Sequence, residues 1–151
     1  MKEISIIFPF YNEEKRLNKL FKSLINFNKK QYNKLFEFIF VDDGSTDNTR
    51  EKISQFLKKI QKSRNRYKLV KSNKNFGKGH ALKLGVRHAK YNWIFTMDSD
   101  LSVDLFQIIT WLKKYNFKNN HAYFGSRSHP KSIIKFKYYR KLIGNILQFF
   151  V

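Results

Sequence analysis

The sequence predicts an α/β fold with a mostly parallel sheet and helices on both of its faces. Two observations predict it. Short apolar runs rich in β-branched and aromatic residues are typical of buried strands, and the stretches between them repeat apolar residues at the spacing of an amphipathic helix. The two kinds of segment alternate in the order β-α-β-α-β-α-β-α-β, which indicates right-handed crossovers between parallel strands.

Five segments are predicted to be buried strands. They are Ile4 to Phe8, Phe36 to Val41, Tyr67 to Val70, Trp93 to Met97 and Ala122 to Gly125. In open sheets of this kind, ligands bind beyond the carboxyl ends of the strands. The residues that follow each run are therefore the first place to look for chemistry.

Four amphipathic helices are predicted between these strands. The first carries apolar residues at i, i+3, i+4, i+7 and i+8 from Leu17 to Ile25, and the second repeats that spacing from Ile53 to Ile60. The third is expected to begin after Gly79, and the fourth covers Leu105 to Lys114.

A single domain is predicted over residues 1–151, because the chain is long enough for a sizeable core and 42% of its residues are hydrophobic. The chain has no cysteine, which excludes disulfides, zinc-thiolate sites, iron–sulfur clusters and cysteine nucleophiles. Neither a signal peptide nor an apolar run of the roughly 18 residues needed to cross a bilayer is visible in it.

The chain is strongly basic, since 31 Lys and Arg against 11 Asp and Glu give a formal net charge of +20. Such an excess favours phosphate-bearing partners such as nucleotides, nucleic acid or an anionic lipid surface. Solvated basic faces without any partner explain it equally well. The few acidic residues are therefore more informative than the many basic ones.

Polar segments follow three of the predicted strands. Pro9 to Glu14 follow the first strand, Asp42 to Asp47 the second, and Asp98 to Asp100 the fourth. Four of the 11 acidic residues thus fall on one predicted edge of the sheet: Asp42, Asp43, Asp98 and Asp100.

The Asp98-Ser99-Asp100 segment has the pattern of a metal site. Side chains two apart in an extended strand end point the same way, so the two carboxylates would converge. Mg²⁺ or Mn²⁺ takes one or two carboxylates and completes its shell with water and substrate phosphates. The alternative is an ordinary helix start, with Ser102 or Asp104 as the cap and Asp98 in solvent.

The segment from Asp42 to Asp47 favours a ligand role. Two adjacent carboxylates at a turn are costly unless something uses them, and a base N–H or a ribose hydroxyl suits a buried acceptor. The alternative is a plain strand-to-helix turn, with Gly44 at its tight position and Ser45 or Thr46 as the helix cap.

The segment from Asn75 to His80 precedes a predicted helix, so its backbone N–H groups and Lys78 could meet a phosphate. Its glycines could instead serve the turn alone. We expect His80 to form hydrogen bonds at the helix start rather than to act in catalysis.

Five motifs occur in order along the chain: Phe8-Pro-Phe-Tyr-Asn-Glu-Glu14, Val41-Asp-Asp-Gly-Ser-Thr-Asp-Asn-Thr49, Asn75-x-Gly-x-Gly-x-Ala81, Asp98-Ser-Asp-Leu101 and Gly125-Ser-Arg127. In that order and spacing they resemble family 2 glycosyltransferases, and within them the dolichyl- or polyprenyl-phosphate glucosyl- and mannosyltransferases. The resemblance covers nearly the whole chain.

The resemblance implies a GT-A fold and an inverting transfer of a hexose from UDP-glucose or GDP-mannose, with a polyprenyl or dolichyl phosphate as the expected acceptor. It implies Mg²⁺ or Mn²⁺ held by Asp98 and Asp100, which together with Arg127 are the expected catalytic residues. The expected donor-binding residues are Pro9, Tyr11, Asn12, Glu13, Asp42, Asp43, Gly77, Lys78, Ser99 and Arg140. Position 102, a glutamine that can assist the metal in many relatives, is Ser102 here.

The acceptor side is less well defined by the sequence. A hydroxyl acceptor would require a general base, yet no Asp or Glu follows Asp104. Either the acceptor is a lipid phosphate, which is already an anion, or the base lies in a C-terminal part that the chain lacks; we expect the domain to be incomplete there. Residues 133–151 carry an apolar face beside basic residues, which fits contact with the cytoplasmic face of a membrane or closure of the core equally.

Other function classes fit less well. A phosphatase with Asp98 as nucleophile and Asp100 as acid would need a later acidic pair for its metal, and none follows. A nucleic-acid-binding domain would explain the charge, but no recognition-helix, zinc-finger or RNP-type motif occurs, so nucleic acid is not an expected partner. Within the family, a glycan or cell-surface polysaccharide acceptor, or a fragment that binds donor without transferring it, remains open.

Overall fold

The computed structural model of the chain describes residues 3–30, 36–116 and 122–125. The chain divides into two compact units, residues 1–115 and 116–151. Every helix and strand that the structure describes lies in the first unit. The single domain expected over residues 1–151 stays a prediction.

Four parallel strands form one sheet, side by side in the order β3-β2-β1-β4. They are β1 (Ile4–Phe10), β2 (Phe36–Asp42), β3 (Arg66–Lys71) and β4 (Trp93–Thr96). The helices that alternate with them are α1 (Leu17–Lys29), α2 (Thr49–Ile60), α3 (Lys78–His88) and α4 (Leu105–Lys114). The α/β fold class, the first four strands and all four helices are confirmed, but β3 and β4 are partly exposed edge strands rather than buried ones, and α3 begins at Lys78 rather than after Gly79.

Both faces of the sheet are covered because the inner strands are apolar on both sides. Alternate residues of a strand point to opposite faces, so β1 and β2 supply two separate clusters. One face is rich in phenylalanine, with Phe8, Phe38 and Phe40 buried against α1, α2 and α4. The other face carries Ile7 and Ile39 against α3.

The direction of the chain across the sheet reverses between β1 and β4. From β1 to β3 the chain moves one way through α1 and α2, and it then crosses back over the other face through α3 to place β4 beside β1. A change of direction with a change of face keeps the crossovers of one hand. Such a reversal opens a crevice at the carboxyl ends of the two strands, where open α/β sheets bind ligands.

The strand register shapes that edge. The ends of β1, β2 and β3 are level, since Phe10 pairs with Asp42 and Asp42 pairs with Lys71. The last residue of β4, Thr96, pairs with Ile7, so β4 stops while β1 continues to Phe10. The segment that follows β4 therefore begins beside the last residues of β1.

A polar network buries one carboxylate at the opposite edge of the sheet. Glu37 Oε2 accepts hydrogen bonds from Ser5 Oγ and from Lys90 N, both at 2.7 Å, and Tyr91 N donates to Ser5 Oγ at 3.2 Å. These bonds join β1, β2 and the segment that enters β4. Glu37 is thus accounted for as a structural group away from the site edge.

The fifth predicted strand, Ala122 to Gly125, is wrong. These residues are exposed and have no regular secondary structure, and Phe124 is 90% exposed. The prediction rested on aromatic content, but a strand also needs a partner for its backbone groups, and β propensity depends on that packing.

Candidate active site

Two predicted carboxylates are joined through the start of α3. Asp43 follows β2 and Asp98 follows β4. The Gly77 backbone N–H donates to Asp43 Oδ2 at 2.7 Å, and Lys78 Nζ donates to Asp98 Oδ1 at 2.6 Å. Because Gly77 and Lys78 are adjacent in the chain, the two carboxylates belong to one continuous site at the carboxyl edge of the sheet.

Hydrogen bonds lock the loop after β1 to the loop after β2. Asn12 adopts a positive φ of 53°, and its Oδ1 accepts from Thr46 N at 2.9 Å. Its own N–H donates to Ser45 Oγ at 3.1 Å, and Glu13 N donates to Thr49 Oγ1 at 2.8 Å. The side chain of Asn12 is therefore engaged between the two loops, a role that positions its neighbours.

Two further acidic residues complete this lock. Glu14 forms an ion pair with Lys52 at 2.8 Å and accepts from Asn48, and the hydrogen bond from Lys52, then those from Asn48, lower the pKa of Glu14. Burial raises the pKa of Asp47, but hydrogen bonds led by that from Thr49 outweigh it and lower the pKa overall. Because both pKa values are lowered, the contacts of the ionised Glu14 and Asp47 stabilise the fold at pH values above the ordinary Glu pKa of 4.5. That stabilisation is lost as pH falls through the lowered pKa values.

Asp42 is fully buried and fully paired. Its Oδ2 accepts from Arg50 Nε at 2.6 Å and its Oδ1 from Ser45 N at 3.3 Å. Arg50 also donates through Nη2 to the Ser72 carbonyl at 2.9 Å. The carboxylate of Asp42 thus ties together the ends of β2, β3 and α2.

Asp43 is buried but only half used. Its Oδ2 accepts from the backbone N–H groups of Phe76 at 3.1 Å and Gly77 at 2.7 Å. Its Oδ1 is buried without a hydrogen-bond partner among the described residues, and His80 Nδ1 lies 3.7 Å away, beyond hydrogen-bond distance. A buried acceptor left open is costly, so Asp43 is the member of the Asp42/Asp43 pair with an oxygen to offer a ligand.

The expected extended geometry of Asp98 and Asp100 is wrong. β4 ends at Thr96, and the two aspartates lie in a turn in which Leu101 N donates to the Asp98 carbonyl at 3.2 Å. Leu101 has a positive φ of 52°, which completes the turn. Alternation of side chains along a strand therefore does not set their relative direction.

The two aspartates have different neighbours. Asp98 is exposed and paired with Lys78, whereas Asp100 accepts from Ser102 N at 2.7 Å and from Ser102 Oγ at 2.8 Å. Asp104 caps α4, which confirms it over Ser102 as the helix cap. Ser102 thus supports Asp100 and does not cap the helix.

The donor set at this turn is chemically suited to Mg²⁺ or Mn²⁺. Asp98 and Asp100 are both exposed, and each carries oxygen ligands of the kind these ions prefer. Within the described ranges no cluster of three or more His, Cys, Asp or Glu side chains is placed to hold a metal ion. Two carboxylates are nevertheless sufficient where substrate phosphates and water complete the shell.

The remaining predicted residues of the first unit lie around this edge. Pro9 is half-buried near the end of β1, and Tyr11 follows that strand with its side chain 44% exposed. Ser99 is buried in the turn after β4. Tyr11 is therefore the aromatic ring that follows β1 at the reversal point of the sheet.

An open cavity of about 490 Å³ adjoins the loop that Asp43 anchors. Phe76 forms one wall, half exposed, with its ring 4.6 Å from that of His80 and with Lys74 Nζ 5.0 Å from its centroid. Ser72 is also a lining residue, and its buried Oγ has no hydrogen-bond partner among the described residues. The cavity thus has an aromatic wall with polar residues around it, as ligand pockets do.

Residues 5–150 match the family described as "Glycosyl transferase family 2". The chain belongs to glycosyltransferase family 2. Among curated relatives of this family 2 member, the dolichyl-phosphate beta-glucosyltransferase of Saccharomyces cerevisiae is 33% identical over 102 residues, which are 64% of this chain and 29% of the yeast protein. The chain therefore spans less than a third of that relative's length.

Solved structures of glycosyltransferases with the GT-A fold are similar to this family 2 chain. The mannosyltransferase PcManGT of Pyrobaculum calidifontis, in complex with GDP-Man and Mn²⁺, has a TM-score of 0.55 and 27% identity, over 64% of this chain and 27% of its own. S. aureus TarS (1–349) with UDP-GlcNAc has a TM-score of 0.59 and 29% identity, over 75% of this chain and 30% of its own. The GT-A fold predicted from the sequence is confirmed.

Two predicted site residues of this family 2 chain, Arg127 and Arg140, lie outside the described residues, as does the segment 133–151. Their roles stay predictions. Among the described residues, none of the helices has the length and apolar character needed to pass through a bilayer.

Sequence reasoning missed three residues that shape the site. Arg50 neutralises Asp42, Lys19 Nζ donates to the Asp100 carbonyl at 2.6 Å, and Phe76 walls the cavity. Arg50 gives a weak signal, since it lies one residue into α2 beside the acidic turn. The pairing of Lys19 with a turn 81 residues away leaves no trace in the local sequence.

Proposed function

We propose that this chain forms the donor-binding part of an inverting hexosyltransferase that uses UDP-glucose or GDP-mannose. Membership of the family and similarity to the GDP-Man and UDP-GlcNAc complexes support the donor class. The observation that carries the proposal is the buried Oδ1 of Asp43, which has no hydrogen-bond partner among the described residues and lies 3.7 Å from the ring of His80, a residue that lines an open cavity. An acceptor oxygen in such a place suits the N–H group of a nucleobase or a ribose hydroxyl.

The diphosphate would lie between Asp43 and Asp98, across the start of α3. Gly77 and Lys78 connect the two carboxylates. Gly77 has a φ of 91° and no atom near a hypothetical side chain, so a ligand can approach the backbone closely there. The positive end of α3 and the ammonium of Lys78 both favour an anion at that position.

Asp98 and Asp100 would hold Mg²⁺ or Mn²⁺ at the far end of the diphosphate. A bound divalent cation supplies positive charge that stabilises the departing nucleotide diphosphate. The chain's own residues fix the geometry: Ser102 orients Asp100, and Lys19 holds the turn through the carbonyls of Asp100 and Leu101. Arg127 and Arg140 are proposed to assist with the diphosphate or the acceptor.

In the proposed reaction an acceptor oxygen attacks the anomeric carbon of the hexose from the face opposite the nucleotide. The new carbon–oxygen bond forms as the bond to the diphosphate breaks, and the diphosphate leaves with the electron pair. A polyprenyl or dolichyl phosphate as acceptor is supported by the curated relatives named dolichyl-phosphate beta-glucosyltransferase. Its phosphate oxygen is already an anion at neutral pH, so the attack needs no general base.

The site of action proposed for such an acceptor is the cytoplasmic face of a membrane. Residues 133–151, whose sequence predicts an apolar face flanked by basic residues, are proposed to make peripheral contact there.

The proposed activity is tested by incubating the chain with radiolabelled UDP-glucose or GDP-mannose, Mn²⁺ and a short polyprenyl phosphate. We expect label to enter the organic phase with only one of the two donors, and EDTA to abolish the transfer. If the chain binds a donor but transfers no sugar, the transfer step of the proposal is contradicted and only donor binding stands. If the label appears on an added glycan instead, the acceptor is a glycan and not a lipid phosphate.

A further inference from the structure

The ion pair between Lys78 and Asp98 places a cation of the protein where the proposed metal would bind. Lys78 Nζ lies 2.6 Å from Asp98 Oδ1, and both side chains are more than half exposed. A divalent cation on Asp98 would repel an ammonium group at that distance. Lys78 and a metal ion would therefore compete for one carboxylate.

Lys78 also lies within reach of the diphosphate path. It is the first residue of α3, and the preceding residue, Gly77, is anchored to Asp43 through its backbone. The backbone of Lys78 is thus fixed, while its four-carbon stem is flexible and largely in solvent. A rotation of that stem would let Lys78 exchange Asp98 for an anion at the start of the helix.

We propose that Lys78 is an exchangeable counter-ion that occupies Asp98 in the absence of donor and moves to the donor diphosphate when metal takes its place. The inference rests on the proposed function, since it assumes a metal at Asp98 and Asp100. It goes beyond that function by assigning to Lys78 the coupling between the two ligands. Metal binding releases Lys78 for the diphosphate, and donor binding releases Asp98 for the metal, so each ligand raises the affinity for the other by the same factor.

The test compares Lys78→Met with Lys83→Met, measuring Mn²⁺ binding by electron paramagnetic resonance with and without UDP and GDP. Lys83 is an exposed lysine of the same helix, so its variant removes the same charge from α3 away from the turn. We expect Lys78→Met to bind Mn²⁺ alone about two- to fivefold more tightly, as suits the loss of an exposed competing ion pair. The gain in Mn²⁺ affinity caused by the nucleotide should shrink, and Lys83→Met should match the unchanged chain.

Two outcomes separate this inference from the function on which it rests, and one further variant locates the signal. Equal or weaker Mn²⁺ binding by Lys78→Met, with the nucleotide effect intact, would overturn the exchange while the metal site stands. Asp98→Asn should lower the Mn²⁺ affinity both of the unchanged chain and of Lys78→Met, which would show that the measured Mn²⁺ binds at this turn. If the unchanged chain binds no Mn²⁺ even with UDP or GDP, the proposed metal site itself fails. Thermal unfolding of each variant should match that of the unchanged chain, because the altered side chains are exposed.

Discussion

Asp43→Asn is expected to lower the affinity for the nucleotide donor by about 100-fold, because it replaces a buried charged acceptor with a neutral amide. Oδ1 of Asp43 has no hydrogen-bond partner among the described residues, so we expect it to contribute to the free energy of donor binding rather than to that of folding. The amide oxygen of an asparagine can still accept from Phe76 and Gly77, the two N–H groups that Asp43 Oδ2 now anchors. The unfolding free energy should therefore change by only about 1 kcal/mol. Calorimetric titration with UDP and GDP, together with chemical denaturation, measures both quantities.

Asp42→Asn is the matched control for this prediction. Its carboxylate is paired with Arg50, which is itself 37% exposed, so losing the pair should cost about 1–2 kcal/mol of stability. Donor affinity should change by less than about threefold, since both oxygens of Asp42 already have protein partners. The reverse pattern, with binding lost in Asp42→Asn and kept in Asp43→Asn, would contradict the division of roles between the two aspartates.

Gly44→Ala is expected to destabilise the chain by about 3 kcal/mol, the sum of a left-handed backbone and a steric overlap. Gly44 has a φ of +73°, and a Cβ there would lie 2.3 Å from the carbonyl carbon of Lys74 and 2.7 Å from Asn75 N. These are backbone atoms, which cannot rotate away as a side chain would. The loop that carries Asn75 to Gly77 should move away from Asp43, so donor binding should fall together with the melting temperature.

Gly79→Ala is the matched control in the same region. No heavy atom lies within 4 Å of a Cβ at Gly79, and the residue lies within the helix α3. An alanine there should stabilise the chain by about 0.5–1 kcal/mol through helix propensity. Thermal and denaturant unfolding of the two variants should thus shift in opposite directions, and a Gly44→Ala variant as stable as the unchanged chain would show that the turn has another conformation.

The fold was predictable where local pattern and packing agree. The apolar runs of β1 and β2 are buried among helices whose apolar stripes were visible in the sequence, as at Leu17, Leu20 and Leu24, whereas the edge strands β3 and β4 are only partly buried. The run from Ala122 to Gly125 has the same aromatic content but no strand, because pairing is a tertiary property that composition does not contain. The early start of α3 at Lys78 follows from Gly77, whose positive φ ends the preceding loop.

The site was predictable in its location and less so in its details. Because the strands are parallel, the polar segments after β1, β2 and β4 lie at one edge, and the reversal of strand order opens a crevice there between β1 and β4. The sequence could not separate Asp42 from Asp43, because the difference comes from Arg50 and from the backbone of the α3 loop. Nor could it show that Lys78 pairs with Asp98 across 20 residues, since that contact depends on the packing of α3 over β1.

The central proposal is that the carboxyl edge of this sheet binds a nucleotide-diphosphate sugar together with a divalent cation. The most direct measurement is calorimetric titration of the 151-residue chain with UDP-glucose and with GDP-mannose, each in Mn²⁺ and in EDTA. The account predicts metal-dependent binding of one donor with a dissociation constant of order micromolar, about −8 kcal/mol. The absence of a heat of binding for both donors in Mn²⁺ would contradict it, as would binding that is as tight in EDTA as in Mn²⁺.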